Sequence, residues 1–148
     1  MSVAIEPARQ PEVEALLEGS EAFALSLYPP GSCYLLDVSE LEAPGVNVFV
    51  ARVDGKALGM AALVPYDGYV ELKRLYVSDA ARGRGLAGEL LEAIEGHARG
   101  GGATIIRLET GPKSFAAIAL YEKRGYVRIP NYGEYEGDPH SYCMEKAL

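Results

Sequence analysis

The segment most suited to chemistry is Arg82-Gly83-Arg84-Gly85-Leu86-Ala87-Gly88. Glycines turn a backbone tightly and let its N–H groups approach a ligand closely. A helix beginning at Leu86 adds the positive end of its dipole, and the combination suits a pyrophosphate. Arg82 and Arg84 bring positive charge into a chain whose formal net charge is −7. Residues 83–88 also fit G-x-G-x-x-G, but a dinucleotide fold places that motif directly after its first strand. Here Ser78 to Arg82 intervene and three strand-like segments come earlier. No G-K-[S/T] follows, which excludes a P-loop.

Other chemistry is sparse. Cys33 and Cys143 are distant and form no C-x-x-C pair, so they read as reduced thiols. The two histidines have no cysteine or acid partners at ligand spacing, so no metal is expected. The segment 130–140 is acidic and aromatic, with Glu134, Glu136 and Asp138 suited to a cationic amine.

The rest of the chain must position the glycine segment. The chain's 148 residues, 49% hydrophobic and 24% charged, suit one globular domain spanning 1–148. Acidity disfavours nucleic acid. No apolar run reaches membrane length, and Met1 to Gln10 lacks a signal-peptide pattern, so the expected location is the cytoplasm. Residues 3–5 read as a strand. A helix starts at Pro11 and ends at Gly19-Ser20, followed by a second over 21–27. Residues 31–45 have no clear period.

Valine-rich alternation makes 46–53 a strand, with Asp54-Gly55 turning into a second over 57–65 and a third over 69–77. Leu86, Leu90, Leu91, Ile94 and Ala98 then keep helical spacing until Gly100-Gly101-Gly102. A strand follows at 104–109. Ser114 caps a helix ending at Gly125, and strands follow at 126–129 and 141–146. A strand–helix–strand unit inside an antiparallel set predicts an α+β domain with a mixed sheet.

Three segments in this order resemble the GNAT superfamily of acetyl-CoA-dependent N-acetyltransferases. Arg82-x-x-Gly85-x-Ala87 matches its Q/R-x-x-G-x-G/A signature. Residues 71–77, Glu-Leu-Lys-Arg-Leu-Tyr-Val, resemble its fourth strand, and residues 117–126, Ala-Ile-Ala-Leu-Tyr-Glu-Lys-Arg-Gly-Tyr, resemble its A-x-x-L-Y-E-K-x-G-F helix. The resemblance implies a mostly antiparallel sheet flanked by helices, with a parallel strand pair splayed around the pantetheine of acetyl-CoA. Leu75, Tyr76 and Val77 would offer main-chain groups to that arm. Arg82, Gly83, Arg84, Gly85, Leu86 and Ala87 would hold the pyrophosphate.

By the same resemblance Tyr121 is the general acid that protonates the departing thiolate. Glu71, fourteen residues before Gly85, matches the base glutamate of some members. Ser114 stands where the family often has an asparagine touching pantetheine. The implied activity is acetyl transfer from acetyl-CoA, as co-substrate, to a primary amine of a small molecule or peptide by direct attack, without an acetyl-enzyme. A non-catalytic acyl-CoA-binding or sensing module is the alternative on the same fold. The resemblance also allows a homodimer.

Overall fold

The computed structural model describes all residues, 1–148. Strands β1 (Ser2–Ile5), β2 (Asn47–Val53), β3 (Lys56–Tyr66), β4 (Tyr69–Val77), β5 (Ile105–Thr110), β6 (Val127–Ile129) and β7 (Tyr142–Ala147) form one sheet in the order β1-β2-β3-β4-β5-β7-β6. Every pairing is antiparallel except β4 with β5. This is the mixed α+β architecture expected from the sequence. No helix is long and apolar enough to cross a membrane.

Helices cover both faces. Helices α1 (Pro11–Leu27) and α2 (Val38–Leu41) lie on one; α3 (Leu86–Gly100) and α4 (Phe115–Lys123) lie on the other. The sequence of β2 shows why. Val48 and Val50 pack with Val13, Leu16 and Leu17 of α1, while Phe49 and Ala51 pack with Leu90, Leu91 and Ile94 of α3. A strand covered on both faces loses its polar alternation and reads as a valine-rich run.

Two local features differ from expectation. Gly19-Ser20 does not end a helix, since α1 runs unbroken to Leu27. Gly19 is there for close approach: a Cβ would lie 2.8 Å from the Tyr76 hydroxyl. Tertiary contact thus overrides the weak local preference of Gly-Ser. The aperiodic 31–45 stretch holds α2, whose Asp37 and Glu40 form a reciprocal capping box.

The parallel pair is short. Val70, Glu71 and Leu72 align with Ile106, Arg107 and Leu108, and pairing stops there. One residue later β4 carries a bulge. Ala62 opposes Lys73 and Met60 opposes Tyr76, leaving Ala61 opposite both Arg74 and Leu75. Arg74 has φ 59°, a left-handed backbone unusual for a side chain of this size. Past Leu72 the edge of β4 that faced β5 has no strand partner, while β5 continues alongside β7 to Thr110. The two strands separate into a V.

Candidate active site

A cavity of about 760 Å³ opens where the strands part. Its walls come from the bulged half of β4, the end of β5, the second half of α1, residues 32–35, α4 and the loop before β7. Ligand crevices of open sheets form at such carboxyl strand ends.

The expected cofactor residues fall on one side. Leu75, Tyr76 and Val77 line the cavity, as do Arg82, Gly83, Ala87 and Ser114. Gly83 and Gly85 have φ of 83° and 77°. An added Cβ at either would meet nothing within 4 Å, so packing does not demand glycine. The left-handed turn demands it, and the space beside the backbone stays open for a ligand. Gly85 is the N-terminal cap residue of α3 and has no side chain to satisfy the amides of the first turn.

Not all of these side chains face the cavity freely. Leu86 is buried in the core, and Arg84 and Gly85 are outside the cavity wall itself. Arg82 is already engaged, 3.2 Å from Asp79 and with its guanidinium 5.3 Å from the centre of the Phe23 ring. Ser114 occupies the cap position of α4 but its side chain caps nothing. Its hydroxyl instead shares a 2.9 Å hydrogen bond with the Tyr28 hydroxyl, which also accepts from the Lys113 N–H at 3.0 Å. Gly111 makes room for the Tyr28 ring, because a Cβ there would collide with it.

Tyr121 stands in the cavity wall, only 5% exposed, with its ring 5.7 Å from that of Tyr126. Burial, reinforced by the charge of Glu109, pushes its pKa well above an ordinary tyrosine. The hydroxyl therefore keeps its proton at all physiological pH, as an acid must.

Glu71 lies outside that wall and is 2% exposed. Tyr132 donates to its Oε1 and Tyr135 to its Oε2, both at 2.8 Å, and Lys73 Nζ stands 3.1 Å from Oε2. The Tyr135 hydroxyl also accepts from Lys73 at 2.8 Å. Burial works against the Lys73 ammonium, yet Glu71 holds its pKa above the usual value. Both carboxylate oxygens of Glu71 are thus committed to a buried network beneath the cavity.

The carboxyl that reaches the cavity is Glu109, near the end of β5. Burial raises its pKa to about 8, with Glu71 and Asp138 adding to the effect and Ser141 and Lys73 opposing it. Sequence reasoning missed it. The available signal was its position: a carboxylate in the last turn of the pleat before the crevice, alternating with the core residue Leu108. Cys33 also lines the cavity, but burial first and Glu109 second raise its thiol pKa, so it is a poor nucleophile.

The acidic wall expected from the C-terminal loop does not form. Glu134, Glu136 and Asp138 are absent from the cavity lining, which receives Tyr135 and His140 from this loop. Asp138 instead fastens the loop, accepting from Tyr34 at 2.7 Å, Ser32 at 3.1 Å and the His140 N–H at 2.8 Å. Those bonds, the Tyr34 hydroxyl foremost, hold its pKa below the normal range. Glu134 lies 3.5 Å from Lys73.

A splayed parallel pair, a glycine turn leading into a helix, and a half-buried acid and a buried tyrosine facing one cavity fit an acyl-transfer architecture. The comparisons agree. The acetyltransferase (GNAT) family profile matches residues 13–126, and the chain belongs to that family. An IAA acetyltransferase of Azospirillum brasilense is 38% identical over 100% of this chain and 98% of its own. A candidate acyl-CoA N-acyltransferase of Klebsiella pneumoniae superposes with TM-score 0.84 at 32% identity, covering 99% of this chain and 97% of that one. The PaiA N-acetyltransferase of Thermoplasma acidophilum, solved with coenzyme A, shares the fold at TM-score 0.75 and 19% identity, with both chains fully covered.

Proposed function

We propose that the protein transfers the acetyl group of acetyl-CoA to a primary amine by direct attack. The observation that carries this reading is the convergence of Glu109 and Tyr121 on one cavity at the splay of β4 and β5. Pantetheine would enter along the unpaired edge of Leu75, Tyr76 and Val77. The pyrophosphate would rest on the amides of Arg82 to Ala87, with Arg82, steadied by Asp79 and Phe23, beside it.

The acceptor must lose a proton before or as it attacks. We assign this step to Glu109, whose pKa near 8 suits a base working close to neutral pH. The neutral amine nitrogen adds to the thioester carbonyl carbon, and Glu109 takes a proton from that nitrogen. The C–S bond breaks with its electron pair on sulfur, Tyr121 gives its proton to the sulfur, and the proton held by Glu109 is exchanged through solvent to restore Tyr121. The products are an amide and free CoA. Glu71 is read here as a positioning residue, since Tyr132, Tyr135 and Lys73 occupy its oxygens. The raised thiol pKa of Cys33 favours direct attack over an acetyl-enzyme.

The test is thiol release from acetyl-CoA against a panel of primary amines, with mass spectrometry of the product. The expected result is amine-dependent release of CoA with formation of an N-acetyl product. Tight acetyl-CoA binding with no acceptor-dependent release would leave a binding module and refute catalysis.

A further inference from the structure

Two cations enter the acceptor side of the cavity from β4, Lys73 and Arg74, and they are not equivalent. Lys73 is neutralised by Glu71 at 3.1 Å and Glu134 at 3.5 Å. Arg74 has no carboxylate within ion-pairing distance. Its Nη2 donates to the backbone carbonyl of Leu17 at 3.0 Å, and its Nε is buried with no partner. Burial lowers its pKa, with the more distant Glu21 opposing.

A half-buried guanidinium with an enclosed, unpartnered Nε is costly to keep, and the part of it left for a ligand is Nη1, which makes no hydrogen bond and is not enclosed. Its setting is costly as well, because the left-handed backbone at Arg74 is strained for any residue but glycine. The bulge and the Leu17 carbonyl hold this side chain in the wall of the site. The cavity's other basic residues are Arg82, which pairs with Asp79, Lys113, whose ammonium donates to the Leu27 carbonyl at 3.4 Å, and His140, while Ala24, Tyr28, Tyr34, Leu35 and Tyr135 add small, apolar or aromatic surface. A planar guanidinium is matched best by a carboxylate, which accepts two parallel hydrogen bonds.

We propose that Arg74 receives a carboxylate of the acceptor, so that the amine acetylated belongs to an amino acid or a similar small amino-carboxylic acid. This rests on the acetyltransferase reading above. It places a fixed cation for the carboxylate and a titrating acid, Glu109, for the ammonium in one cavity. An acceptor carrying both groups is oriented at both ends, whereas a plain amine is held at one.

The experiment is an acceptor panel of the common L-amino acids, their carboxamides, and the aminophosphonate analogue of phenylalanine, with thiol release as the readout. Wild type is expected to favour each accepted amino acid over its carboxamide by at least about tenfold in kcat/KM, because a half-buried cation left unpaired penalises the neutral analogue. Arg74→Gln should bring that ratio close to one, and Arg74→Lys should restore part of it. Carboxamides matching or beating their acids in wild type would overturn the proposal. So would an unchanged ratio in Arg74→Gln, or preference for the phosphonate.

A second readout needs no turnover. Calorimetry on the CoA-loaded protein should show N-acetyl-L-phenylalanine binding at least about tenfold tighter than N-acetyl-L-phenylalaninamide, with the difference lost in Arg74→Gln. Equal binding would refute the carboxylate site. Absence of thiol release across this panel, with release from other primary amines, would overturn the proposal and leave the acetyltransferase reading standing; absence from every primary amine would refute that reading, with the binding difference still deciding the role of Arg74.

Discussion

The two sides of the cleft are built from different materials. The donor side is largely backbone: an unpaired strand edge at 73–77, two left-handed glycines and the first turn of α3. The acceptor side is made of side chains brought together from α1, residues 32–35, β4, β5 and the loop before β7. Backbone recognition needs glycines and a helix start in one short run, so it is visible as a motif. Side-chain recognition needs residues far apart in the chain, as the Ser32 and Tyr34 bonds to Asp138 show, and no local pattern announces them.

Glu71 and Glu109 sharpen that contrast. They lie on adjacent parallel strands, two residues out of register, since Glu71 aligns with Arg107. Both are buried or nearly so, but Glu71 has two tyrosine hydroxyls and Lys73, while Glu109 has no ion-pair partner and a raised pKa. The largest expected effect follows. Glu109→Gln should lower kcat/KM by roughly 10³-fold and remove the rise in rate through about pH 8. Glu71→Gln should leave that inflection in place and chiefly weaken folding, because it leaves the Lys73 ammonium with only the exposed Glu134. Rate–pH profiles of both variants decide the matter. An inflection that follows Glu71 would reverse the two roles.

The same raised pKa affects stability, and its sign is the opposite of an ordinary salt-bridged acid. A folded-state pKa of about 8 against an unfolded value of 4.5 means that the native state binds the extra proton. Stability from that protonated form is complete below about pH 4 and is lost as pH rises through 8. Glu109→Gln, which carries no charge, should therefore melt higher than wild type at pH 9 by about 3–6 °C, with the gap closing at pH 5. Thermal melts at the two values check this.

The donor side is tested next. Gly85→Val forces a branched side chain into φ 77° and fills the open space beside the turn. Acetyl-CoA affinity should fall about 100-fold by calorimetry, through backbone strain and lost amide contacts. Undiminished affinity would move the pyrophosphate elsewhere. Tyr121→Phe should lower kcat by roughly 10²-fold with acetyl-CoA affinity nearly unchanged, as expected of a group that acts on the leaving sulfur. A loss confined to affinity would make Tyr121 a wall residue.

Legibility in the sequence followed this division. The mixed sheet, the β4-to-α3 turn and the α4 tyrosine were all carried by local signals: alternation, glycine placement and helical spacing. The unbroken α1 was not, because Gly19 answers to the Tyr76 ring across the core rather than to its own helix. Arg74 was illegible for a similar reason, since a bulge is a mismatch between two strands and neither strand shows it alone. The acidic loop misled, because Asp138 and Glu134 look identical as solvated acids and as partners of Tyr34 and Lys73.

The smallest expected effect lies where the two sides meet. Ser114 belongs to α4 on the donor side, and its hydroxyl joins Tyr28 at the end of α1 on the acceptor side. If Ser114 served pantetheine as an asparagine would, its removal would raise the KM for acetyl-CoA substantially. The geometry points instead to a fastening role, and one with a spare attachment, since the Lys113 N–H also holds the Tyr28 hydroxyl. Ser114→Ala should therefore raise the acetyl-CoA KM by no more than about threefold, the worth of one neutral hydrogen bond. Tyr28→Phe removes the partner of both bonds and should cost more, and it should raise the KM of the amine as well, because Tyr28 itself lines the cavity from the end of α1. Steady-state kinetics with each substrate varied separates the cases. A large acetyl-CoA effect in Ser114→Ala with a silent Tyr28→Phe would make Ser114 a cofactor contact and leave the two walls independently held.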